Sequence, residues 1–261
     1  MSARARAVVL MYHRVGEAGA EPDEGDYVLP TALFERQLHW LVAQGRPVLP
    51  LGALAGAARP DRAVVLTFDD GCESDASVAW PLLRALRLPA AFFVSPARVG
   101  EPGRVGWGEL RSLAQEGFVV GCHGLDHTLL GGLAADELNR QLRESKRWIE
   151  EELGRPVDAL SLPGGSGGRR VRRAAHEAGY RLVFGSRPGV VRGPADGALI
   201  PRVAVRRGHG FGGFCAAVAE RRLFLLHQGL RYRLVTTGRA LLGARAYSRL
   251  RALRLERGGR A

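Results

Sequence analysis

The chain of 261 residues is expected to fold as an α/β barrel, on three observations. Short apolar runs alternate with segments at helical spacing. The runs are continuous rather than alternating in polarity. Seven or eight such units fit within residues 1–207. Continuous runs argue strands buried on both faces, hence a parallel sheet. So many strand–helix units suit a sheet closed on itself better than an open one, and reactive groups should gather at the strands' C-terminal ends.

Strands are read at residues 7–12, 47–49, 63–68, 90–94, 118–122, 159–162, 182–184 and 199–205. Thr31 can cap a helix whose Phe34, Leu38 and Leu41 share a face and which Gly45 stops. Further helices are expected over about 75–86, 108–115, 136–153 and 169–178, the last with Gly179 at its C-cap. The run Gly208-His209-Gly210-Phe211-Gly212-Gly213 reads as a linker, and residues 214–257 are helical by composition. The expected organisation is a barrel domain over 1–207 and, over 208–261, a glycine-rich linker with an arginine-rich helical extension.

The net charge of +12 divides unevenly. Residues 221–261 hold eleven arginines and one acid, Glu256, a balance of +10; residues 1–220 hold 27 cations and 25 acids, only +2. A nearly neutral body with a basic tail results. That tail suits anionic lipid headgroups or a polyanionic glycan, with Leu230, Leu234, Leu241, Leu242, Leu250 and Leu253 free to rest on the barrel or at a membrane surface. Its few aromatics, Phe224, Tyr232 and Tyr247, argue against a nucleic-acid partner. Cys72, Cys122 and Cys215 are too few and too scattered for a disulfide framework. The apolar run 7–12 is shorter than a signal-peptide core and no stretch approaches a membrane span, so a cytoplasmic protein, peripheral at most to the inner membrane face, is expected.

Two segments carry chemistry. In Val64-Val65-Leu66-Thr67-Phe68-Asp69-Asp70-Gly71 an apolar strand delivers two adjacent carboxylates. Like charges so placed repel unless a cation neutralises them, although an Asp-Gly turn capping a helix explains the same letters. In Phe118-Val119-Val120-Gly121-Cys122-His123-Gly124-Leu125-Asp126-His127 a second strand delivers two histidines four residues apart, which can share one cation. Seven histidines give roughly 0.2 such pairs by chance, so the spacing alone says little. Together the segments offer one carboxylate and two imidazoles on one barrel face, the open ligand set of a hydrolytic divalent-metal site, with an aspartate to spare as base.

These residues resemble the polysaccharide deacetylases, the NodB-like carbohydrate esterases of family 4 that remove N-acetyl groups from amino sugars. Thr67-Phe68-Asp69-Asp70-Gly71 and His123-Gly124-Leu125-Asp126-His127 match the family's first two motifs, and Trp107-Gly108-Glu109-Leu110 and Ala90-Ala91-Phe92-Phe93-Val94 are in its style. The resemblance spans about residues 7–205. It implies a deformed (β/α) barrel of about seven strands, with Asp69 as general base and Asp70, His123 and His127 as metal ligands. It also implies Gly164, after Pro163, as an oxyanion donor. Zinc is the default metal, with cobalt, nickel or iron as alternatives. Removal of an N-acetyl group from a polysaccharide, an oligosaccharide or a lipid-linked or biosynthetic glycoside is the implied reaction.

Several positions depart from the pattern. Ser161 stands where the family has the arginine that braces the base, Gly124 replaces a hydroxyl residue, Gly164 replaces an aromatic, and the late Asp-x-x-Asp-Trp motif is absent. For the general acid, His13 ends the first strand in Val9-Leu10-Met11-Tyr12-His13 and resembles the permuted poly-N-acetylglucosamine deacetylase branch, where this motif comes first. His227, in Leu225-Leu226-His227, is the alternative. A non-catalytic glycan-binding homologue is the competing function, and a basic nucleic-acid- or membrane-binding protein is a further one.

Overall fold

The computed structural model describes residues 5–17, 25–56, 58–165 and 167–242. In chain order the strands are β1 (Arg6–Tyr12), β2 (Arg14–Val15), β3 (Val28–Leu29), β4 (Ala63–Phe68), β5 (Ala90–Val94), β6 (Val119–Cys122), β7 (Ala159–Ser161), β8 (Leu182–Phe184), β9 (Val191–Arg192), β10 (Leu199–Ile200) and β11 (Val203–Ala204). The helices are α1 (Thr31–Ala43), α2 (Trp80–Ala85), α3 (Trp107–Gln115), α4 (Ala135–Leu153), α5 (Gly168–Glu177), α6 (Gly210–Val218) and α7 (Arg222–Leu242). The main sheet runs β10-β8-β7-β6-β5-β4-β1-β11 with every neighbouring pair parallel, and β9 adds antiparallel to β1. Because β10 and β11 are joined only by Pro201 and Arg202, the chain itself brings the two ends of the sheet together. The fold is the expected deformed barrel.

The continuous apolar runs have a simple cause. Alternate residues of each strand point in and out, and both sides are dry. Ala7, Val9, Ala63, Val65, Ala91, Phe93, Leu182 and Phe184 fill the barrel. Their neighbours Val8, Leu10, Val64, Leu66, Phe92 and Val94 pack outward in a cluster with Phe34, Leu38 and Leu41 of α1 and Leu138, Leu142 and Ile149 of α4. Both faces are apolar over most of their length, so no alternation shows in the sequence.

Four local expectations are corrected. Residues 47–49 form a single bridge from Val48 to Val64 rather than a strand. Pro47 and Pro50 lack the N–H groups a longer ladder needs. Thr31 is the first helical residue of α1 and makes no capping bond, since Pro30 holds the cap position. The run 199–205 is broken by Pro201 and Arg202 into β10 and β11. The glycine-rich segment read as a linker is helical from Gly210: Phe214, Ala217 and Val218 are buried, with the Phe214 ring 5.7 Å from Trp40 of α1. Tertiary burial of that apolar face outweighs the low helix propensity of three glycines. Residues 243–261 of the expected extension lie outside the described residues. Among the described residues, no helix is long and apolar enough to cross a membrane.

Candidate active site

Four strands of the barrel end in the residues singled out by the sequence. His13 follows β1, Asp69 and Asp70 follow β4, His123 follows β6, and Leu162-Pro163-Gly164 follows β7. The strand ladders continue past the strand ends and fix these residues: Asp69 N–H donates to the Tyr12 carbonyl at 3.0 Å and His123 N–H to that of Val94 at 2.7 Å. Asp69, Asp70, His13, His123, His127 and Gly164 line one cleft of about 390 Å³.

Asp70, His123 and His127 form a three-ligand cluster whose donor atoms all lie within 4.8 Å of one another. His123 Nε2 and His127 Nε2 are 3.3 and 3.1 Å from Asp70 Oδ1. His123 Nδ1 is 2.8 Å from the Ser161 carbonyl. That oxygen can only accept, so Nδ1 carries a proton and Nε2, turned toward Asp70, is the ring's ligating atom; burial lowers the ring's proton affinity, but the charges of Asp69 and Asp70 outweigh it and raise it. Asp70 Oδ1 is itself buried without a hydrogen-bond donor. Two imidazole nitrogens converging on an unsatisfied carboxylate oxygen suit a divalent cation, so the residues fit the metal that the motif implies.

The backbone is held in costly conformations to achieve this. Asp70 and His127 have φ of +79° and +69°, left-handed values that cost a non-glycine residue about 1–3 kcal/mol. Gly71 continues the left-handed turn at +59°, and a Cβ there would lie 2.9 Å from Val94 Cγ1. The loop carrying His127 is tied down by Gln141, whose Oε1 accepts from Leu125 N–H and whose Nε2 donates to Asp126, each at 3.0 Å.

Asp69 does not join the cluster; it faces Arg202. The guanidinium donates from Nη1 to Oδ1 at 2.8 Å and from Nη2 to Oδ2 at 2.6 Å, a two-pronged ion pair with both side chains buried. Its remaining donors reach the Gly185 carbonyl, Thr67 Oγ1 and Ser161 Oγ, and Ser161 Oγ–H donates to Asp69 Oδ2 at 3.0 Å. Burial pushes the Asp69 carboxyl up, but the Arg202 charge and hydrogen bonds, with His123, outweigh it and hold the group below the usual carboxylate range. The arginine absent at position 161 is thus supplied from the junction of β10 and β11, and Ser161 bonds both partners. Sequence reasoning missed Arg202. Its one signal was a charge inside the apolar run 199–205, which in a buried strand demands a partner.

His13 is half-buried, lines the cleft, and packs against Tyr27 with ring centroids 4.5 Å apart and planes tilted by 50°, its Nδ1 making no hydrogen bond. Burial lowers its affinity for a proton, only partly offset by Asp70 and Asp69. His227 is exposed and absent from the cleft wall, where its neighbour Gln228 stands instead, bonded to His209 at 3.0 Å. Gly164 and Gly165 turn left-handed at φ of +66° and +70°, and a Cβ on Gly165 would overlap Ser186. The cleft has a wall that sequence reasoning did not foresee: Gln228, Arg231, Tyr232, Val235 and Thr236 of α7.

Behind the cluster, Asp75 is buried with neither carboxylate oxygen hydrogen-bonded. Burial, reinforced by the charges of Asp70 and Asp69, raises its proton affinity well above the ordinary value. Because the folded-state affinity exceeds the unfolded one, the contribution to stability is full below the unfolded value and is lost as pH rises toward the folded one, by at most about 1.4 kcal/mol per pH unit. Asp75→Asn should therefore leave the thermal midpoint unchanged near pH 4 and raise it at pH 8. A variant equally stable or less stable at pH 8 would contradict this.

A nearly closed parallel barrel thus carries, at its strand ends, one carboxylate and two imidazoles that could hold a metal ion beside a carboxylate paired with a guanidinium. Residues 56–183 match the family model for polysaccharide deacetylase. The chain is 25% identical over 223 residues to YxkH of Bacillus subtilis, named for the polysaccharide deacetylases, covering 84% of this chain and 78% of that protein. It is 22% identical over 227 residues to the poly-beta-1,6-N-acetyl-D-glucosamine N-deacetylase of Staphylococcus aureus, covering 76% and 78%. Among solved structures, IcaB from Ammonifex degensii superposes with a TM-score of 0.71 at 26% identity over 82% of this chain and 96% of that one. The Streptococcus pyogenes deacetylase PplD superposes with a TM-score of 0.75 at 20% identity, over 82% and 99%. Residues 56–183 are thus a polysaccharide deacetylase domain.

Proposed function

We propose that the protein is a metal-dependent N-deacetylase of an N-acetylated amino sugar. The observation that carries this reading is the division of labour between the two adjacent aspartates: Asp70 turns to two imidazoles, Asp69 to a guanidinium. A divalent cation held by Asp70, His123 and His127, with zinc the first choice, would supply Lewis acidity to water and to the acetamide oxygen. Asp69, kept ionised by Arg202, accepts the proton of the attacking water. The Gly164 N–H donates to the carbonyl oxygen as charge builds there. His13 donates a proton to the departing nitrogen; its lowered affinity makes the protonated ring a willing donor. Water's oxygen bonds to the acetyl carbon, the C–N bond breaks, and acetate and a free amine leave.

Acetate release from N-acetylglucosamine oligomers tests the reaction. His13→Gln should lower kcat by roughly 10²–10⁴ with metal content unchanged, whereas His227→Ala should leave kcat as it is. A fully active His13→Gln beside an inactive His227→Ala would reverse the assignment.

A further inference from the structure

A second and larger groove, of about 870 Å³, runs beside the catalytic cleft. It lies between α7 and residues 187–192, reaches Arg6 and Arg62 at the entry ends of β1 and β4, and shares Pro188 and Tyr232 with the cleft. Val190, Leu225, Leu226 and Leu230 make it apolar, and Leu226 and Leu230 are 53% and 61% exposed. Around them stand Arg6, Arg62, Arg187, Arg192, Arg222 and Arg233 against one acid, Glu220. Asp61 and Glu220 pair with Arg6 at 2.9 and 3.0 Å; no ion pair joins the other five to a carboxylate among the described residues. Arg206 lines the cleft alone; its Nη2 donates to Tyr27 OH at 3.0 Å and its Nε lies 3.9 Å from Asp26 Oδ2.

Five unneutralised guanidinium groups around leucines fit a ligand that is both anionic and apolar, and the planar fork of arginine matches phosphate oxygens. An apolar surface of this kind, left open on a charged rim, marks an interaction site. The chain's own C-terminal segment does not complement it: residues 243–261 carry six arginines and one glutamate, the same sign as the rim. A ligand spanning both hollows would have to pass Pro188 and Tyr232, with its acetamide beside Asp69. We infer that the substrate is an N-acetylated amino sugar carried on a lipid phosphate, the sugar entering the cleft while phosphate and lipid chain occupy the arginine-rimmed groove. This rests on the deacetylase reading of the cleft. An anionic membrane surface, which the charge of residues 221–261 first suggests, is the competing occupant.

The test separates groove from cleft. Calorimetric titration with farnesyl phosphate, inorganic phosphate and farnesol reads the groove without turnover. Farnesyl phosphate should bind roughly tenfold or more tighter than either half alone. R187E/R192E/R233E and, separately, L226Q/L230Q should each weaken it by roughly tenfold or more while keeping the wild-type circular dichroism and the wild-type rate on N-acetylchitotetraose. Acetate release from farnesyl-phosphate-linked N-acetylglucosamine should exceed that from N-acetylglucosamine 1-phosphate by roughly tenfold in kcat/KM, and both groove variants should remove the advantage. Turnover of N-acetylchitotetraose without farnesyl phosphate binding would sink the groove assignment and leave the cleft reading standing. Binding of farnesyl phosphate with no acetate released from any of these sugars would do the reverse. Binding to phosphatidylglycerol vesicles but not to farnesyl phosphate would give the groove to the membrane and overturn the inference.

Discussion

Arg202→Met should lower the rate of acetate release by roughly 10²-fold or more and destabilise the protein by about 3–5 kcal/mol. Both effects have one cause. The substitution leaves the Asp69 carboxylate buried with its two-pronged partner gone and Ser161 Oγ as its remaining side-chain donor. A buried ion pair contributes modestly to stability as a pair, because desolvation offsets attraction, but removing one member strands the other. Burial is then opposed only by the weaker effects of Ser161 and the neighbouring histidines, so the proton affinity of Asp69 rises and the acidic limb of the rate profile should move to higher pH. A merely structural arginine would lower stability without moving that limb. Arg202→Lys keeps the charge but cannot make the fork, and should fall between the two. A wild-type pH profile in Arg202→Met would remove Arg202 from the account.

The second large effect is expected at the metal cluster. Asp70→Ala removes the carboxylate on which both imidazoles converge and should abolish stoichiometric zinc binding, read by elemental analysis after dialysis, and with it acetate release. Of the two imidazoles proposed to hold the metal, His127 is the more exposed and His123 the buried one, anchored through Nδ1 to the Ser161 carbonyl. His123→Ala should consequently cost more affinity than His127→Ala, since it removes a preorganised donor. Equal zinc content in Asp70→Ala and wild type would place the metal elsewhere.

Much of this was legible in the sequence for a physical reason. Strands buried on both faces leave continuous apolar runs, and β4, β5 and β8 fall at the residues read for them. The same burial makes polar residues at strand ends conspicuous, so Asp69, Asp70, His123 and His13 stand out where their strands stop. What the letters could not show was side-chain direction. Nothing in Asp69-Asp70 says that one carboxylate turns to histidines and the other inward to an arginine 133 residues away. Arg202 was one of 38 cations, and its significance depends on the two ends of the sheet meeting where β10 passes into β11. The segment 208–213 misled because glycine reports local propensity, while burial of Phe214 against Trp40 is a long-range event. Likewise, the arginine excess of residues 221–261 suits an anionic lipid or glycan surface as letters, and only the fold shows that Arg231 and Tyr232 wall the cleft.

The central claim is that Asp69 moves the proton while Asp70 holds the cation. Zinc content and acetate release from N-acetylglucosamine oligomers, measured together on Asp69→Asn, test it most directly. The amide keeps the shape of the carboxylate but cannot accept a proton as a base. The account predicts one zinc per chain, as in the wild type, with acetate release reduced by roughly 10²–10⁴. Retained activity with retained zinc would contradict it.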